Sequence, residues 1–267
     1  MRRPRSSDSV AHSGINAVER AMTLLEILSE YPHGRTITQL GDELQINKGL
    51  AHRIMASLID TGHVFKDEGS QRYCLATKLL STAFRHIRVL GMYEVVLPIL
   101  RRLANTTQEL SELNWAQNER LVLVAKAESP RRVRVIDHFG EELVLHASAG
   151  GKVWLAHMPE EEALRNLLNR GMPGLSDKTI TTIPAMQKEL ELVRAQGFAI
   201  NNRESGDEVV AVAAPVWVHS PEPHVAGAVS VVSPASRQIH LDETVIRLTI
   251  EAANEVSSIW PFGSLDR

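Results

Sequence analysis

The sequence predicts an α+β chain in two parts. A small three-helix unit closed by a short hairpin comes first, and a larger domain in which strands and helices alternate follows it. Three observations carry this. Residues 15–77 hold three short helical periodicities, each opened by a capping residue, and then two β-rich runs about a glycine. After Gly91 the apolar spacing switches repeatedly between the helical period and the alternation of strands. The charge changes as well: residues 1–91 hold 12 Lys+Arg against 9 Asp+Glu, and residues 92–267 hold 17 against 23. A mildly basic front on an acidic back suits a small polyanion-binding module joined to a soluble partner domain.

Apolar residues make up 43% of the 267, enough for packed cores. No apolar run approaches ~18 residues, so no membrane span is expected. The opening "MRRPRSSDSVAHSG" lacks the apolar segment of a secretory signal. Cys74 is the only cysteine, so no intrachain disulfide can form, and a cytoplasmic setting is the expectation.

Element by element, residues 1–14 read as a flexible arm. "INAVERAMTLLEILSEYP" reads as a helix with an Asn16/Glu19 capping signature and a stripe of Ile15, Val18, Met22, Leu25 and Leu28. Pro32 and Gly34 stop it. Thr36 caps a second helix, with Gln39 as capping-box partner and Leu40 and Leu44 facing inward. "QINK" is a turn, and Asn47 caps a third helix that runs to about Thr61 and ends at Gly62. His63–Phe65 and Arg72–Leu75 are short strands around "KDEGSQ", a hairpin with Gly at its tip. "TKLLSTAFRHIRVLGM" returns to helical spacing, with Leu80, Phe84 and Ile87 on one side. It is the expected linker helix, over 78–91. The organisation is thus an arm (1–14), a front domain (15–77), a linker (78–91) and a back domain (92–267).

In the back domain "YEVVLPILRRLANTTQ" is helical, and "ELSELNWAQNERLVLVAKAES" reads as two strands about a turn at Gln117–Arg120. "RVRVIDHFGEELVLHASAGGKVWLAHM" reads as strand, turn, strand, and a helix beginning near Ser148. "PEEEALRNLLNRG" and "PAMQKELELVRAQG" are helices closed by Gly171 and Gly197. "FAIN", "VVAVAAPVWV" and "AGAVSVVS" are strands, and "DETVIRLTIEAANEVSSI" is a final helix. There is no internal repeat.

The third helix carries the first functional signal. Ala51, Ile54, Met55 and Leu58 fall at i, i+3, i+4 and i+7, which is one buried face. Gly49, Arg53 and Ala56 point the other way, with His52 beside them and Lys48 in the first turn. Small residues let the helix approach closely, long basic ones reach bases or phosphates, and no acid interrupts until Asp60. A solvated helix face would mix Glu with Lys. The order of helix, capped helix, short turn, basic helix and hairpin is that of a winged helix-turn-helix.

The same segments, together with "LVLHASAGGKVWLAHMP", "GFAINNRESGDEVVAVAAPV" and "AGAVSVVSPASR", resemble the IclR family of bacterial transcriptional regulators in order, from about Ile15 to about Ser257. The resemblance implies a GAF/PAS-like back domain, an antiparallel sheet flanked by helices. It implies binding to double-stranded operator DNA, a small carboxylate effector, a homodimer or homotetramer, and control of a catabolic operon. Lys48 and Arg53 match the family's basic positions, and Thr36, Gly49, His52 and Arg72 complete the expected DNA-contacting set. Gly49 and Leu50 stand where the family usually has a hydroxyl pair for phosphate, so Lys48, His52 and Arg53 carry more of the contact.

"HASAGGKVWLA" is a strand end, small residues and a helix start. Free N–H groups at such a helix start attract a carboxylate or phosphate. The alternative is a tight corner that needs small residues, and spacing alone leaves both open. It is not an ATPase phosphate loop, because Val153 follows Lys152 where Ser or Thr is required. The resemblance implies an effector pocket here: Ala149 and Gly150 as backbone donors, Asn201 where an acid often reaches the ligand, Ala211 where Cys or Ser often sits, Ser230 as a pocket serine, and Val232 replacing a second polar residue. Glu204 matches a family Glu, although the usual following Gly is Glu208. Ala211 and Val232 make the pocket more apolar, so an effector larger than a two- or three-carbon acid, aromatic or branched, is expected. Trp115 and Trp154 are candidates for its wall.

The alternative is a small-molecule-processing enzyme or a ligand sensor built on the back domain. Against the enzyme, no G-x-S-x-G elbow is present, Cys74 falls on the hairpin, and the acid runs at 141–142 and 160–162 read as solvated faces. Histidines at H-x-H or H-x-x-x-H spacing are missing, so no metal and no cofactor is expected.

Overall fold

The computed structural model describes residues 8–117, 119–136, 139–140, 142–218, 221–239 and 242–259. The chain divides between Val89 and Leu90 into two compact units.

The front unit is α1 (Asp8–Ser29), α2 (Ile37–Glu43), α3 (Lys48–Asp60), the hairpin β1 (Val64–Lys66) and β2 (Tyr73–Leu75), and α4 (Thr77–Leu90). Residues 8–14, expected in the arm, are helical: α1 starts at Asp8 and Asn16 lies inside it, while residues 1–7 lie outside the described residues. Asp8 and Ser9 suit a helix start, and Gly14 is the one poor helix former between them and Asn16. The expected stripe of α1 splits in two. Leu24, Leu25 and Leu28 are buried, whereas Val18 is 65% and Met22 54% exposed. The reason is length: α2 and α3 have 7 and 13 residues and cover only part of a 22-residue helix.

Of the three expected caps, those at Thr36 and Asn47 are formed. The Thr36 hydroxyl accepts from Gln39 N–H while the Gln39 side chain accepts from Thr36 N–H, the full capping box. Asn47 Oδ1 accepts from Leu50 N–H at 2.9 Å. Ala51, Ile54, Met55 and Leu58 are the buried face of α3. The other end of α3 has a device the sequence did not announce: Lys78 Nζ, from α4, donates to the Thr61 carbonyl at 2.6 Å. In the hairpin loop the left-handed residue is Gln71 (φ 56°), not Gly69. Asp67 closes the loop by accepting from the Ser70 N–H and hydroxyl. Glycine is required instead at Gly34 (φ +68°), where a Cβ would stand 2.4 Å from the Tyr73 carbonyl oxygen. There the α1–α2 loop pairs with the hairpin through Arg35 and Tyr73.

The back unit is α5 (Met92–Thr107), β3 (Leu110–Gln117), β4 (Arg120–Ala127), α6 (Ala149–His157), α7 (Glu160–Arg170), α8 (Ile183–Gln196), β5 (Ala199–Asn202), β6 (Val209–Val218), β7 (His224–Pro234) and α9 (Glu243–Ile259). The sheet is antiparallel in the order β4-β3-β7-β6-β5. Alternation along the strands feeds two cores. Val229 and Val231 pack with α5 and α9 on one face. Ala211, Ala213, Ala228 and Val232 pack with α6, α7 and α8 on the other. A bulge at Leu113/Asn114 reverses β4 partway, so Leu121 joins the α6 side while Ala125 and Ala127 join the α5–α9 side.

One expectation is corrected. Of the two strands expected over "RVRVIDHFGEELVL", none forms among the described residues. The segment follows the edge of β4 through an isolated Val122–Glu142 bridge and the bonds Gly140 N–H to Leu123 O and Leu143 N–H to Leu121 O. Its apolar residues are divided: Val135, Leu143 and Leu145 pack on the α6-side core, whereas Val133 is 71% and Ile136 58% exposed. Among the described residues no helix is long and apolar enough to cross a membrane.

Candidate functional site

In the front unit Lys48, Gly49, His52 and Arg53 are all exposed, along the side of α3 opposite its buried face. Among the described residues neither the Lys48 ammonium nor the Arg53 guanidinium has an ion-pair partner. The face thus offers two uncommitted cations around a glycine. The His52 Nδ1 stands 3.5 Å from the Tyr73 hydroxyl, at the outer limit of a hydrogen bond. The other two expected contacts differ. Thr36 is half-buried, with its hydroxyl and N–H both engaged by Gln39. Arg72 is half-buried and donates through Nη1 to the Gly34 carbonyl at 2.9 Å, tying the hairpin to the α1–α2 loop.

In the back unit the structure brings Ala149, Gly150, Asn201, Ala211, Ser230 and Val232 together around one cavity of ≈270 Å³. Strand register explains how. Asn201 lies opposite Ala211, and Ala211 opposite Val232, so the three form a row across β5, β6 and β7. Ser230, two residues along β7 from Val232, lies opposite Glu112 of β3. The start of α6 borders the same space. The Ser148 hydroxyl accepts from Gly151 N–H at 3.1 Å, and the Ser148 carbonyl takes Lys152 N–H. Ala149 and Gly150, the first two residues of the helix, have no acceptor within it for their N–H groups.

Both readings of the small-residue corner apply, at different glycines. A Cβ on Gly151 would stand 2.4 Å from the Leu145 carbonyl oxygen, so the chain reversal itself needs that glycine. A Cβ on Gly150 would meet only Leu143, at 3.2 Å, with Ala228 and Leu121 at 3.6 Å, and Gly150 lines the cavity.

Several lining residues escape a reading of sequence: Glu112, Leu123, Glu142, Leu143, Val144, Ser148, Ser205 and Val209. The one with most chemistry is Glu112, 4% exposed. Its signal was an acid at a side-chain position of a strand, but only strand pairing shows which residues it meets. The two tryptophans are corrected. Neither lines the cavity among the described residues. Trp115 packs against the α5–α9 core, and Trp154 against the α6–α8 core. The wall is aliphatic instead, from Leu123, Leu143, Val209 and Val232.

Lys152 and Glu204 form a separate cluster that does not line the cavity. Lys152 is 1% exposed, and its Nζ lies 2.8 Å from Glu189 Oε1 and 2.8 and 2.9 Å from the two Glu204 oxygens. Asn201 links this cluster to the cavity. Its Oδ1 accepts from Glu204 N–H at 2.7 Å and its Nδ2 donates to Ser205 at 2.6 Å. Asn201 therefore shapes the loop after β5 as well as lining the cavity.

His157, in the last turn of α6, has a pKa held below its ordinary 6.5 by burial. Its Nδ1–H donates to the Val153 carbonyl at 2.8 Å, and its ring meets Trp217 edge-on at 5.1 Å. Because the folded pKa is the lower one, the unfolded chain binds the proton first as pH falls. This contribution to stability is present above pH 6.5 and is lost as pH drops through the folded value. Urea midpoints measured between pH 7.5 and 5 should decline in the wild type, and His157→Phe should flatten that part of the profile. An equal decline in both proteins would show that His157 does not contribute.

Comparison with known proteins completes the picture. Residues 17–68 match the IclR helix-turn-helix domain, and residues 84–258 match the bacterial transcriptional regulator IclR C-terminal domain. The chain is 29% identical over 249 residues to the HTH-type transcriptional regulator BhcR of Paracoccus denitrificans, covering 91% of this chain and 87% of the relative. An IclR-type transcriptional regulator from Alicyclobacillus acidocaldarius superposes with a TM-score of 0.80 at 25% identity, over 92% of this chain and 99% of that one. An IclR homologue from Microbacterium hydrocarbonoxydans, crystallised with 4-hydroxybenzoate, shares the fold with a TM-score of 0.77 at 20% identity, over 91% and 98% of the two chains.

Proposed function

The chain belongs to the IclR family of DNA-binding transcriptional regulators, and on that premise we propose that a small organic acid in the back-unit cavity controls its binding to operator DNA. The observation that carries the proposal is the cavity itself: small residues at the start of α6, polar Asn201, Ser205 and Ser230, and an aliphatic wall. Pockets for small molecules are mostly apolar with a few placed polar groups, and N–H groups at a helix start favour an anion. At ≈270 Å³ the cavity falls just below the usual ~300–1,000 Å³. That size suits a monocyclic or branched carboxylate, and the aliphatic wall favours one over glyoxylate or pyruvate. A protein of the same fold crystallised with 4-hydroxybenzoate supports an acid of this size.

In this reading α3 enters the major groove with Lys48, His52 and Arg53, and two copies of the chain address two half-sites. Leu80 and Phe84, 58% and 65% exposed on α4, supply an apolar stripe for the second copy, in a dimer or a dimer of dimers. The effector shifts the population of arrangements that fit the operator, which requires different affinity for each. Repression relieved by ligand and activation by ligand use the same parts.

The test is titration calorimetry on the full chain, paired with gel retardation of the DNA upstream of its gene. A monocyclic carboxylate such as benzoate or a substituted relative should bind and change the retardation. Tight binding of glyoxylate or pyruvate with none of the cyclic acids would refute the size argument. Binding that leaves retardation unchanged would refute the control of DNA by ligand.

A further inference from the structure

We propose that the back unit holds a second small-molecule site, between α7 and the chain leading into α6, for a neutral molecule of about one ring that donates a hydrogen bond from a hydroxyl or an amide. Asn166 accepts that bond. The site does not depend on the acid proposed above.

A cavity of ≈280 Å³ lies there, bordered by residues 142–146, by Asn166, Leu167 and Arg170 of α7, and by the turn that follows α7. It shares Glu142, Leu143 and Val144 with the cavity described above, and no other residue among those described. Asn166 is the group that marks it. The residue is 3% exposed, and its Nδ2 donates back along α7 to the Glu162 carbonyl at 3.0 Å, with the Met158 sulfur at 3.8 Å. Neither Met158 nor Glu162 borders the cavity. The bond to Glu162 fixes which way round the amide lies, since an oxygen in that place would face another oxygen. Oδ1, on the opposite corner of the planar amide, is buried and has no hydrogen-bond partner. It is the corner left to the cavity.

Buried acceptors without a partner are rare, because the desolvation of the group goes uncompensated. A molecule that brings an N–H or O–H to Oδ1 removes that cost. The rest of the lining decides what kind of molecule. His146, also 3% exposed, has its Nε2 3.0 Å from the Pro173 carbonyl oxygen. A carbonyl only accepts, so Nε2 carries a proton, and Nδ1 of the neutral ring is a second acceptor and not a donor. Among the described residues the charged side chains at this cavity are Glu142 and Arg170, which pair with each other and are partly exposed. The buried part of the cavity thus offers neutral acceptors and no spare charge. A carboxylate there would meet acceptors, and an ammonium would give up its hydration for partners without charge. A neutral donor is the class that remains. Leu143, Leu145, Leu167 and Pro173 supply an apolar wall for its body. An apolar cavity of ~150 Å³ already admits benzene, so this one has room for a ring with a small substituent.

The experiment is calorimetry on the full chain with phenol and benzamide, against toluene, which matches phenol in shape and has no donor, and benzylamine, which is a cation. Phenol or benzamide should bind the wild type on the order of tenfold or more tighter than toluene, since a site that hydrogen-bonds a donor discriminates against the analogue lacking it. Benzylamine should show no such advantage. In N166L, where an apolar group of similar volume replaces the amide, the advantage should vanish. Crystals of the wild type soaked with 4-iodophenol should place the anomalous signal of iodine in this cavity, with the phenol oxygen at hydrogen-bond distance from Asn166 Oδ1. If toluene matches both donors, if none of the four compounds binds, or if the advantage survives in N166L, the inference is wrong. It is equally wrong if benzylamine binds best, or if the iodine lies only in the other cavity or on the surface. Should N166L not fold, the wild-type series and the soaked crystal still decide. No outcome of this experiment alters the acid-effector reading, which has its own test with carboxylates and DNA.

Discussion

Lys152→Met is expected to lower the stability of the back unit by about 3–5 kcal/mol. The change barely alters volume, so the loss comes from charge and not from a cavity. In the wild type one ammonium, 1% exposed, serves two carboxylates, with the Glu204 and Glu189 side chains 9% and 23% exposed. Without the ammonium, the buried Glu204 carboxylate is left with only the Asn202 N–H, at 3.2 Å, as a donor among the described residues. Removing one partner of a buried pair costs far more than replacing the whole pair, because the remaining charge is left unsolvated. Lys152→Met combined with Glu204→Gln should therefore recover a substantial part of the loss. All four tryptophans lie between residues 115 and 260, behind the unit boundary at Val89/Leu90, so urea unfolding followed by tryptophan fluorescence reports the back unit alone. A loss below ~1 kcal/mol would mean that the cluster is solvated enough to behave as a surface pair.

The second large effect falls on DNA. Arg53→Ala should weaken operator binding by ~1–3 kcal/mol and relax discrimination at one base position if the guanidinium reads a base edge. The side chain is exposed and outside the ion pairs of the front unit, so thermal stability should stay near that of the wild type. Lys48→Ala should act differently, weakening binding to all sequences alike and reducing the salt slope by about one. Gel retardation with operator and scrambled DNA at two salt concentrations separates the two roles. If Arg53→Ala loses affinity equally for both DNAs, Arg53 is a phosphate contact, and if it loses none, α3 does not enter the groove through this residue.

Much of the front unit was legible because its signals are local. Thr36 with Gln39, Asn47 with Leu50, and the i, i+3, i+4, i+7 run from Ala51 to Leu58 all act within one or two helical turns. The exposed basic side of α3 follows from the same periodicity. What that periodicity could not supply was how much of α1 the short α2 and α3 would cover, so Val18 and Met22 were expected inside and stand outside. Arg72 shows the same limit. Its charge was visible in the sequence, but its bond to the Gly34 carbonyl joins positions 38 residues apart.

In the back unit the six residues expected around a pocket do border one cavity, and that expectation came from resemblance to a family, not from spacing. Glu112 was read only as part of a strand. Its place beside Ser230 depends on β3 pairing with β7, a contact between segments more than a hundred residues apart, and a shift of one residue in register would turn it to the opposite face. Lys152 was read as part of a helix start. Its partners Glu189 and Glu204 lie 37 and 52 residues away. The sequence by itself determined the two-part α+β plan, the caps of α2 and α3, the basic side of α3 and the small-residue corner before α6, because each is set by neighbours within a few residues. Only the tertiary structure decided which acid faces the cavity, which lysine is buried against which carboxylates, and that aliphatic side chains replace the two tryptophans in the wall, because strand register and helix packing set those contacts between distant parts of the chain.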